Sequence, residues 1–522
     1  MKMREYKLVA FFVLMLLCCS GSTYGLTFDK TVKTGLGEKA EWTVMVYMDG
    51  DNNLESNAID DFFEMSDVGS TEKVNIVVQF DRIGGYDSRY GDWVTTKRYY
   101  IIQGMTPDGD NAVEDIGEAN MGDPQTVIDF VNWGMSNYPA DHYCLIFWDH
   151  GSGWKTPQSH GRKYVCEDET DGDELETYEF GDALRVITNN GVNKLDLTGF
   201  DACLMGMMEI AYEIKDYTHY MTASEDTEPV AGWDYYNTLW DLVNNSSEIT
   251  GRELGELFVS YYSGYHITLS TLDLNQVEYL TTALDNLVIS IQLKKYRDEI
   301  QDAIDNVKAY TSDSADLYNF IELIQANIHD TNVDDKAQMV LNEINNVVAS
   351  EKHDIYNENS HGIAIYLPYY NYDQNYDSLR FTQGSQWDDF LRWWFYGNPG
   401  SNPPTKPVIS GVKEGSVGTK YSYSFFSTDP DNDDLYYYIL WGDYSDEEQI
   451  GPVVSGETIE RSHTWETDGG YIIKAKAVDV HGAMSEWSYF RVSMPREKIV
   501  NQLLINKFIG LLKQMFPSFF KL

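Results

Sequence analysis

A chain of 522 residues is long enough for two or three domains, and its 43% hydrophobic content can fill their cores. Asp and Glu total 83 against 38 Lys and Arg, and the resulting net charge of −45 repels nucleic acid and anionic membrane surfaces. Nucleic acid is therefore excluded as a partner; basic substrates would be attracted, although a well-solvated acidic surface explains the same charge.

The first 25 residues read as an export signal. Lys2, Arg4 and Lys7 precede the apolar run Leu8 to Leu17, and small residues follow from Ser20 to Gly25. The run is shorter than the roughly 20 residues a bilayer span needs, so a cleaved signal and a secreted, extracellular product are expected. Leu17 stands where lipid attachment at Cys18 or Cys19 would call for a small residue. Removing the signal leaves Cys144, Cys166 and Cys203, an odd number that implies a free thiol and no disulfide framework.

From Glu41 onward, apolar strands alternate with amphipathic helices. Glu41–Met48 is a buried-strand signal, followed by a helix through Leu54, Ala58, Ile59, Phe62 and Met65. Strands are expected at Lys73–Phe80 and Arg98–Gln103. Asp123-Pro124 then opens a helix running to Met135. The apolar run from Tyr143 to Trp148 ends at His150, helix Tyr178–Thr188 stops at Asn189-Asn190-Gly191, and the run from Lys194 ends at Cys203. Helix Met205–Ile214 and strand Tyr220–Ala223 continue the pattern. This order predicts an α/β fold with a mostly parallel sheet and helices on both faces. Residues 235–395 add helices at Arg252–Tyr262, Asn275–Leu293, Asp316–Ile328 and Gln386–Phe395, and a strand at Gly362–Leu367. The domain is expected to span 26–397. A Pro-, Gly-, Ser- and Asn-rich linker follows at 398–407, and short alternating strands over 408–495 predict a small all-β sandwich.

Two neighbouring parallel strands that deliver a His and a Cys to their carboxyl edge would build a nucleophile–base pair. In that arrangement His150 takes the thiol proton of Cys203 and later protonates a leaving amine. A helix beginning just after Cys203 would favour the thiolate. The Gly151-Ser152-Gly153 turn lets backbones approach, so the N–H groups of Gly151 and Cys203 are the expected oxyanion hole. Asp201, two residues before the nucleophile, would select Lys or Arg at the cleaved position from the rim of the substrate pocket. Each residue also has a plainer explanation. A Cys on a strand is often a small buried hydrophobe, a His after a strand a satisfied loop residue, and an Asp there a helix cap.

The segments Val46-Tyr47-Met48-Asp49-Gly50-Asp51-Asn52-Asn53-Leu54-Glu55, Trp148-Asp149-His150-Gly151-Ser152-Gly153-Trp154 and Phe200-Asp201-Ala202-Cys203-Leu204-Met205 resemble, in order, the clostripain family of cysteine peptidases. Ser224 to Pro229, Gly232 to Tyr235 and His361 to Pro368 extend the resemblance, which covers about Trp42 to Trp394. It implies a caspase–gingipain-type fold and a dyad of His150 and Cys203, with Asp201 walling a pocket for a basic side chain. It also implies a second acidic pocket residue after Ala223, for which Glu225, Asp226, Glu228 and Asp234 are candidates and Glu225 and Asp226 the first choices. Substrates would be proteins or peptides with Arg or Lys at the cleaved position. Self-cleavage is implied too, and Arg162 and Lys163 lie between the two motifs. The chemistry needs no cofactor. Calcium dependence is known in the family, and the acidic loop Asp168–Glu176 offers hard oxygen ligands, without a metal-ligand set that the sequence assigns.

Tyr438–Asp443, Ser462–Trp465 and Gly470–Asp479 resemble a polycystic-kidney-disease-type (PKD) immunoglobulin-like module, whose roles are spacing and surface binding; Tyr444 departs from its usual glycine. The run Asp429 to Asp434 is read as an acidic turn or a calcium loop. The tail 496–522 sets Lys498, Lys507, Lys513 and Lys521 among Leu, Ile and Phe residues, the pattern of a basic amphipathic segment that binds a membrane surface or cell envelope. Two functions from different classes follow: an exported endopeptidase, or an inactive surface-binding protein that keeps the fold. Transfer of the acyl group to an amine would use the same dyad.

Overall fold

The structure is a computed structural model that describes residues 39–154, 164–294, 296–396, 403–443, 445, 447–480 and 483–494. The signal (1–25), Arg162 and Lys163, residues 398–402 of the linker and the tail (496–522) lie outside the described residues.

A nine-stranded sheet forms the centre. Its strands are β1 (Ala40–Gly50), β2 (Val74–Arg82), β3 (Thr96–Tyr100), β4 (Glu114–Gly117), β5 (Ala140–Trp148), β8 (Leu195–Asp201), β9 (Thr218–Ala223), β10 (Thr268–Asp273) and β12 (Val348–His353). Two hairpin strands, β6 (Tyr164–Asp168) and β7 (Asp173–Glu176), lie between β5 and β8 in the chain. A separate pair joins β11 (Ser314–Asp316) to β13 (Ala364–Tyr366). In space the large sheet runs β12-β10-β9-β8-β5-β1-β2-β3-β4. Neighbours from β9 through β8, β5 and β1 to β2 are parallel, and both flanks turn antiparallel.

The period of two along β1 sorts its side chains between two cores. Met45 and Tyr47 join Phe130, Phe147 and Phe200 on one face. Trp42, Val44, Val46 and Met48 join Phe62, Phe80 and Trp233 on the other. Helices cover both faces, as continuous apolar strands require. The helix Pro124–Asn137 starts where the sequence marks it: the Asp123 side chain accepts from Gln125 N, and Pro124 occupies the first turn.

Three features depart from expectation. The helix expected from Met205 begins at Met208, because Leu204 takes a left-handed conformation (φ 64°) and breaks the turn after Cys203. Helices Tyr235–Asn245, Arg297–Asn306 and Thr331–Val347 fill the region read only as a mixed extension. The strands β10 and β12 carry the sheet beyond β9; their Thr, Ser, Lys and Glu content hid them from an apolar-run search.

The C-terminal sandwich comprises a three-stranded and a four-stranded sheet around Tyr423, Phe425, Trp441, Trp465 and Ile473. It is bound to the α/β body by side chains. Along its strand Gly469–Asp479, Ile473, Ala475 and Ala477 face the sandwich core, while Lys474 and Lys476 point the other way. Lys474 Nζ meets Glu278 Oε1 at 2.8 Å and donates to Tyr212 Oη at 2.9 Å. Lys476 Nζ lies 3.0 Å from Asp389 Oδ2, with side-chain exposures of only 8% and 4%. Removing one partner of a buried pair leaves the other charge uncompensated, at a cost of about 3–5 kcal/mol. Arg392 approaches Asp389 at 4.0 Å and softens the loss. Lys476→Ala is therefore expected to lower stability in urea unfolding by about 3 kcal/mol, whereas Lys39→Ala, which breaks a solvent-exposed pair with Asp141, leaves the midpoint unchanged.

Candidate active site

The parallel register sets Trp148 of β5 opposite Asp201 of β8. His150 and Cys203 each follow two residues later, so both emerge from adjacent strands at the carboxyl edge of the sheet. Asp149 N donates to Asp201 O at 3.2 Å and holds the two strand ends together. The next residues touch. A Cβ on Gly151 would stand 2.4 Å from Cys203 O and 3.0 Å from Cys203 N, so only glycine allows this approach. Gly153 (φ 63°) repeats the constraint against Leu204 O. Beyond it, Trp154 is buried edge-on against Tyr366 and Tyr376.

Cys203 is half-buried, and burial pushes its thiol up from its ordinary value. No helix starts beside it to oppose this. The helix begins five residues on, which corrects the expectation of thiolate stabilisation by a helix end. A backbone donor acts instead: Glu228 N lies 3.2 Å from Cys203 Sγ. The Cys203 loop is fastened to the segment after β9 through Leu204 N to Asp226 O (3.0 Å) and Gly206 N to Ser224 O (2.6 Å).

Burial lowers the His150 imidazole, against an upward pull from Glu167 and Glu169. Its Nε2 is 2.8 Å from Asn53 Oδ1 in the turn after β1. Burial thus disfavours charge on both the thiol and the imidazole, and the resting pair is neutral.

Beside the thiol lies a group of buried acids. Asp201, 5% exposed, accepts from Tyr235 Oη at 2.9 Å, and burial pushes its carboxyl up to about 7. Glu228 hydrogen-bonds Asp201 and takes the Trp233 indole N–H at 3.1 Å; burial and the Asp201 charge hold its carboxyl well above the usual range. Asp61, on the helix Glu55–Val68, accepts from Trp148 Nε1 at 2.7 Å and is raised by burial and by Asp201. At Gly232 (φ 61°), a Cβ would come within 3.1 Å of Asp61 Oδ2 and 3.3 Å of both Asp201 oxygens. No Lys or Arg pairs with these three carboxyls among the described residues.

The first choices for the second pocket acid sit elsewhere. Glu225 is 1% exposed and turns under the Cys203 loop, where its Oε2 accepts from Gly362 N at 3.0 Å beside Asp316. The Asp226 side chain caps its own turn through Thr227 N. Asp234 caps the helix Tyr235–Asn245. Of the four candidates, Glu228 is the one whose carboxyl joins Asp201. Asp61 went unread because it sits among alternating charges on an amphipathic helix, and only tertiary packing turns it inward.

Cys144, Cys166, His142 and His361 are occupied elsewhere. Cys144 and Cys166 are buried in the two cores, Cys166 in the β6–β7 hairpin. His142 meets Asp196 and stacks on Trp42. His361 meets Asp316 and stacks on Tyr318. His160 lies outside the described residues.

A second acidic group forms past the ends of β1 and β2. Carboxylate oxygens of Asp51, Glu118 and Asp168 lie within 4.8 Å of one another. Asp81 is fully buried beside them; burial and the charges of Glu118, Asp51 and Asp168 hold its carboxyl well above the usual range, and its Oδ2 has no hydrogen-bond partner. Hard oxygens with an orphaned buried carboxylate fit a divalent cation such as calcium. Asp429, Asp431 and Asp433 also cluster: Asp429 Oδ1 accepts from the N–H groups of Asp431 and Asp433 as a turn, and its Oδ2 is buried without a hydrogen-bond partner.

These features coincide with similarity to known proteins. Residues 46–394 match the model of the Clostripain family. Clostripain of Hathewaya histolytica is 27% identical over 416 residues, 67% of this chain and 78% of that protein. A secreted C11 cysteine protease from Bacteroides thetaiotaomicron, solved with an irreversible peptide inhibitor, shares the fold at 18% identity and a TM-score of 0.51, covering 67% of this chain and 99% of its own. The PKD domain of an M14-like peptidase from Thermoplasmatales archaeon SCGC AB-540-F20 matches 19% of this chain over its full length at 44% identity, with a TM-score of 0.18. The family match spans well over half the chain, and the sheet carries the fold that goes with it: the protein belongs to the clostripain family of cysteine peptidases.

Proposed function

We propose that this peptidase is an exported endopeptidase that cuts after Arg or Lys, with Cys203 as nucleophile and His150 as base. The observation that carries the reading is the group Asp61, Asp201 and Glu228: buried carboxyls beside the thiol, raised by burial and mutual repulsion, and lacking a cationic partner among the described residues. A substrate guanidinium or ammonium supplies the missing charge.

In the reaction His150 takes the Sγ proton as sulfur attacks the scissile carbonyl carbon. The oxyanion is held by the N–H groups of Gly151 and Cys203. The C–N bond breaks as His150 returns the proton to the leaving amine, and water then hydrolyses the thioester with His150 as base. The Glu228 N–H steadies the sulfur while it carries charge. Self-cleavage after Arg162 or Lys163 opens the cleft. The N-terminal signal exports the chain, and the basic tail holds it at a membrane or cell-envelope surface.

The test is hydrolysis of small amides with Arg, Lys, Asp or Leu at the cleaved position. Activity is expected on Arg and Lys alone. Cys203→Ala should lower it at least ~1,000-fold and remain one uncut chain. Asp201→Asn should cost about 100-fold in kcat/KM on Arg. Cleavage after Leu, or fragments still formed by Cys203→Ala, would count against the pocket or the self-cleavage respectively.

The raised acids also give a pH dependence with a definite sign. Below about 7 the Asp201 carboxyl holds a proton and repels no cation but attracts none. Binding of an uncleaved Arg peptide to Cys203→Ala, followed by calorimetry, should therefore tighten as pH rises through about 7. Affinity that stays flat across that range would contradict an acidic pocket.

We further propose that Asp51, Glu118 and Asp168, backed by Asp81, hold calcium, which would tie the turn after β1 to the β6–β7 hairpin. Calcium at 100 times its Kd should stabilise the protein by about 2.7 kcal/mol, read as a raised unfolding midpoint. Asp81→Asn should remove that rise.

A further inference from the structure

We propose that Asn53 is a positioning residue for His150: its side-chain carbonyl fixes which ring nitrogen carries the proton and aims the other at the thiol. The inference rests on the dyad proposed above. Asn53 Oδ1 lies 2.8 Å from His150 Nε2. An amide oxygen only accepts, so Nε2 must carry the hydrogen. In a neutral ring the lone pair then sits on Nδ1, and Nδ1 alone can receive the Cys203 proton.

The surroundings hold Asn53 in this place. It stands in the turn Asp51–Leu54, between the end of β1 and the helix Glu55–Val68. Its neighbour Asn52 donates from Nδ2 to Asp149 Oδ1 at 2.7 Å and to Glu167 O at 2.9 Å, and accepts from Leu54 N at 2.8 Å. On the other side, Glu55 forms a fully buried ion pair with Arg82 at 2.6 Å. Asp149 directly precedes His150. The turn that presents Asn53 is therefore clamped to the same strand end that presents the histidine. Asn53 itself is exposed, so it is the backbone of the turn, clamped through its neighbours, that sets where its side chain meets His150.

The neutrality of Asn53 also matters. The charged groups facing His150 are Glu167 and Glu169, which raise its pKa while burial lowers it. A third carboxylate would favour a standing imidazolium. An amide orients the ring without adding charge, so the neutral resting pair is preserved. Once Nδ1 takes the thiol proton, the Nε2–H bond to Oδ1 becomes charge-assisted, and the contact is stronger in the transition state than in the ground state.

The experiment uses the full chain at fixed calcium, an Arg amide substrate, and the variants Asn53→Ala and Asn53→Asp beside Cys203→Ala and His150→Ala. Asn53→Ala is expected to lower kcat by about 10- to 100-fold, the cost of a misdirected ring, with KM changed less than about two-fold. Iodoacetamide labelling of Cys203 should slow in parallel. Asn53→Asp, which keeps an acceptor, should recover most of kcat and move the acidic limb of the kcat/KM profile to higher pH, because its carboxylate stabilises the imidazolium, which must lose its proton before His150 can act as base. If Asn53→Ala does not fold, the Asn53→Asp profile decides alone. Full kcat in Asn53→Ala, or an Asn53→Asp variant as slow as Ala with an unmoved profile, overturns the inference while inactive Cys203→Ala and His150→Ala leave the dyad standing. Activity retained in those two variants would remove the dyad and the role of Asn53 with it.

Discussion

The register of β5 against β8 is the constraint on which the site depends. Trp148 opposite Asp201 puts His150 and Cys203 at equal distances beyond two strands that lie roughly 4.8 Å apart. A slip of one residue would turn one of the two side chains to the opposite face. The register is protected because both strands are buried on both faces, so any slip would also misplace Phe147, Phe200, Cys144 and Leu197. The glycines at 151 and 153 then allow the His150 loop to rest on the backbone of the Cys203 loop. Packing energy spread over the whole sheet thus sets one local distance.

Burial at this edge has opposite consequences for different groups. It raises the thiol and lowers the imidazole, which keeps the pair uncharged until a substrate arrives. It raises Asp61, Asp201 and Glu228 as well, and the low-dielectric surroundings that make them hold protons also make a paired cation strongly bound. An exposed acidic surface of net charge −45 attracts cations in general. On the proposed function, the three carboxyls held by Trp148, Trp233 and Tyr235 are the groups that would discriminate among them.

Much of the fold was legible because its signals are local. Continuous apolar runs mark β1, β5 and β8, and Asp123-Pro124 and Asn189-Asn190-Gly191 mark helix ends. His150 and Cys203 were legible for a similar reason, since each ends such a run at a glycine or a tight turn. What escaped depends on contacts distant in sequence. Asp61 is joined to Trp148 across 87 residues and Asn53 to His150 across 97. Among the acids after Ala223 no local rule separates Glu225, which faces Gly362, from Glu228, which faces Asp201. The delayed start of the helix after Cys203 turns on the left-handed Leu204, a strain that propensity does not foretell.

The same contacts connect the sandwich to the site. Lys474 reaches Tyr212 on the helix Met208–Ile214. Glu209 of that helix accepts from Tyr366 N at 2.9 Å and Tyr376 Oη at 2.6 Å. Those two rings enclose Trp154, where the loop carrying His150 turns into the core. The helix itself follows the Cys203 loop. One short helix therefore receives the sandwich on one side and braces the loops of both His150 and Cys203 on the other. A module read from the sequence as a spacer or surface binder thus also touches the helix that braces both loops, and Lys474 is the point of contact.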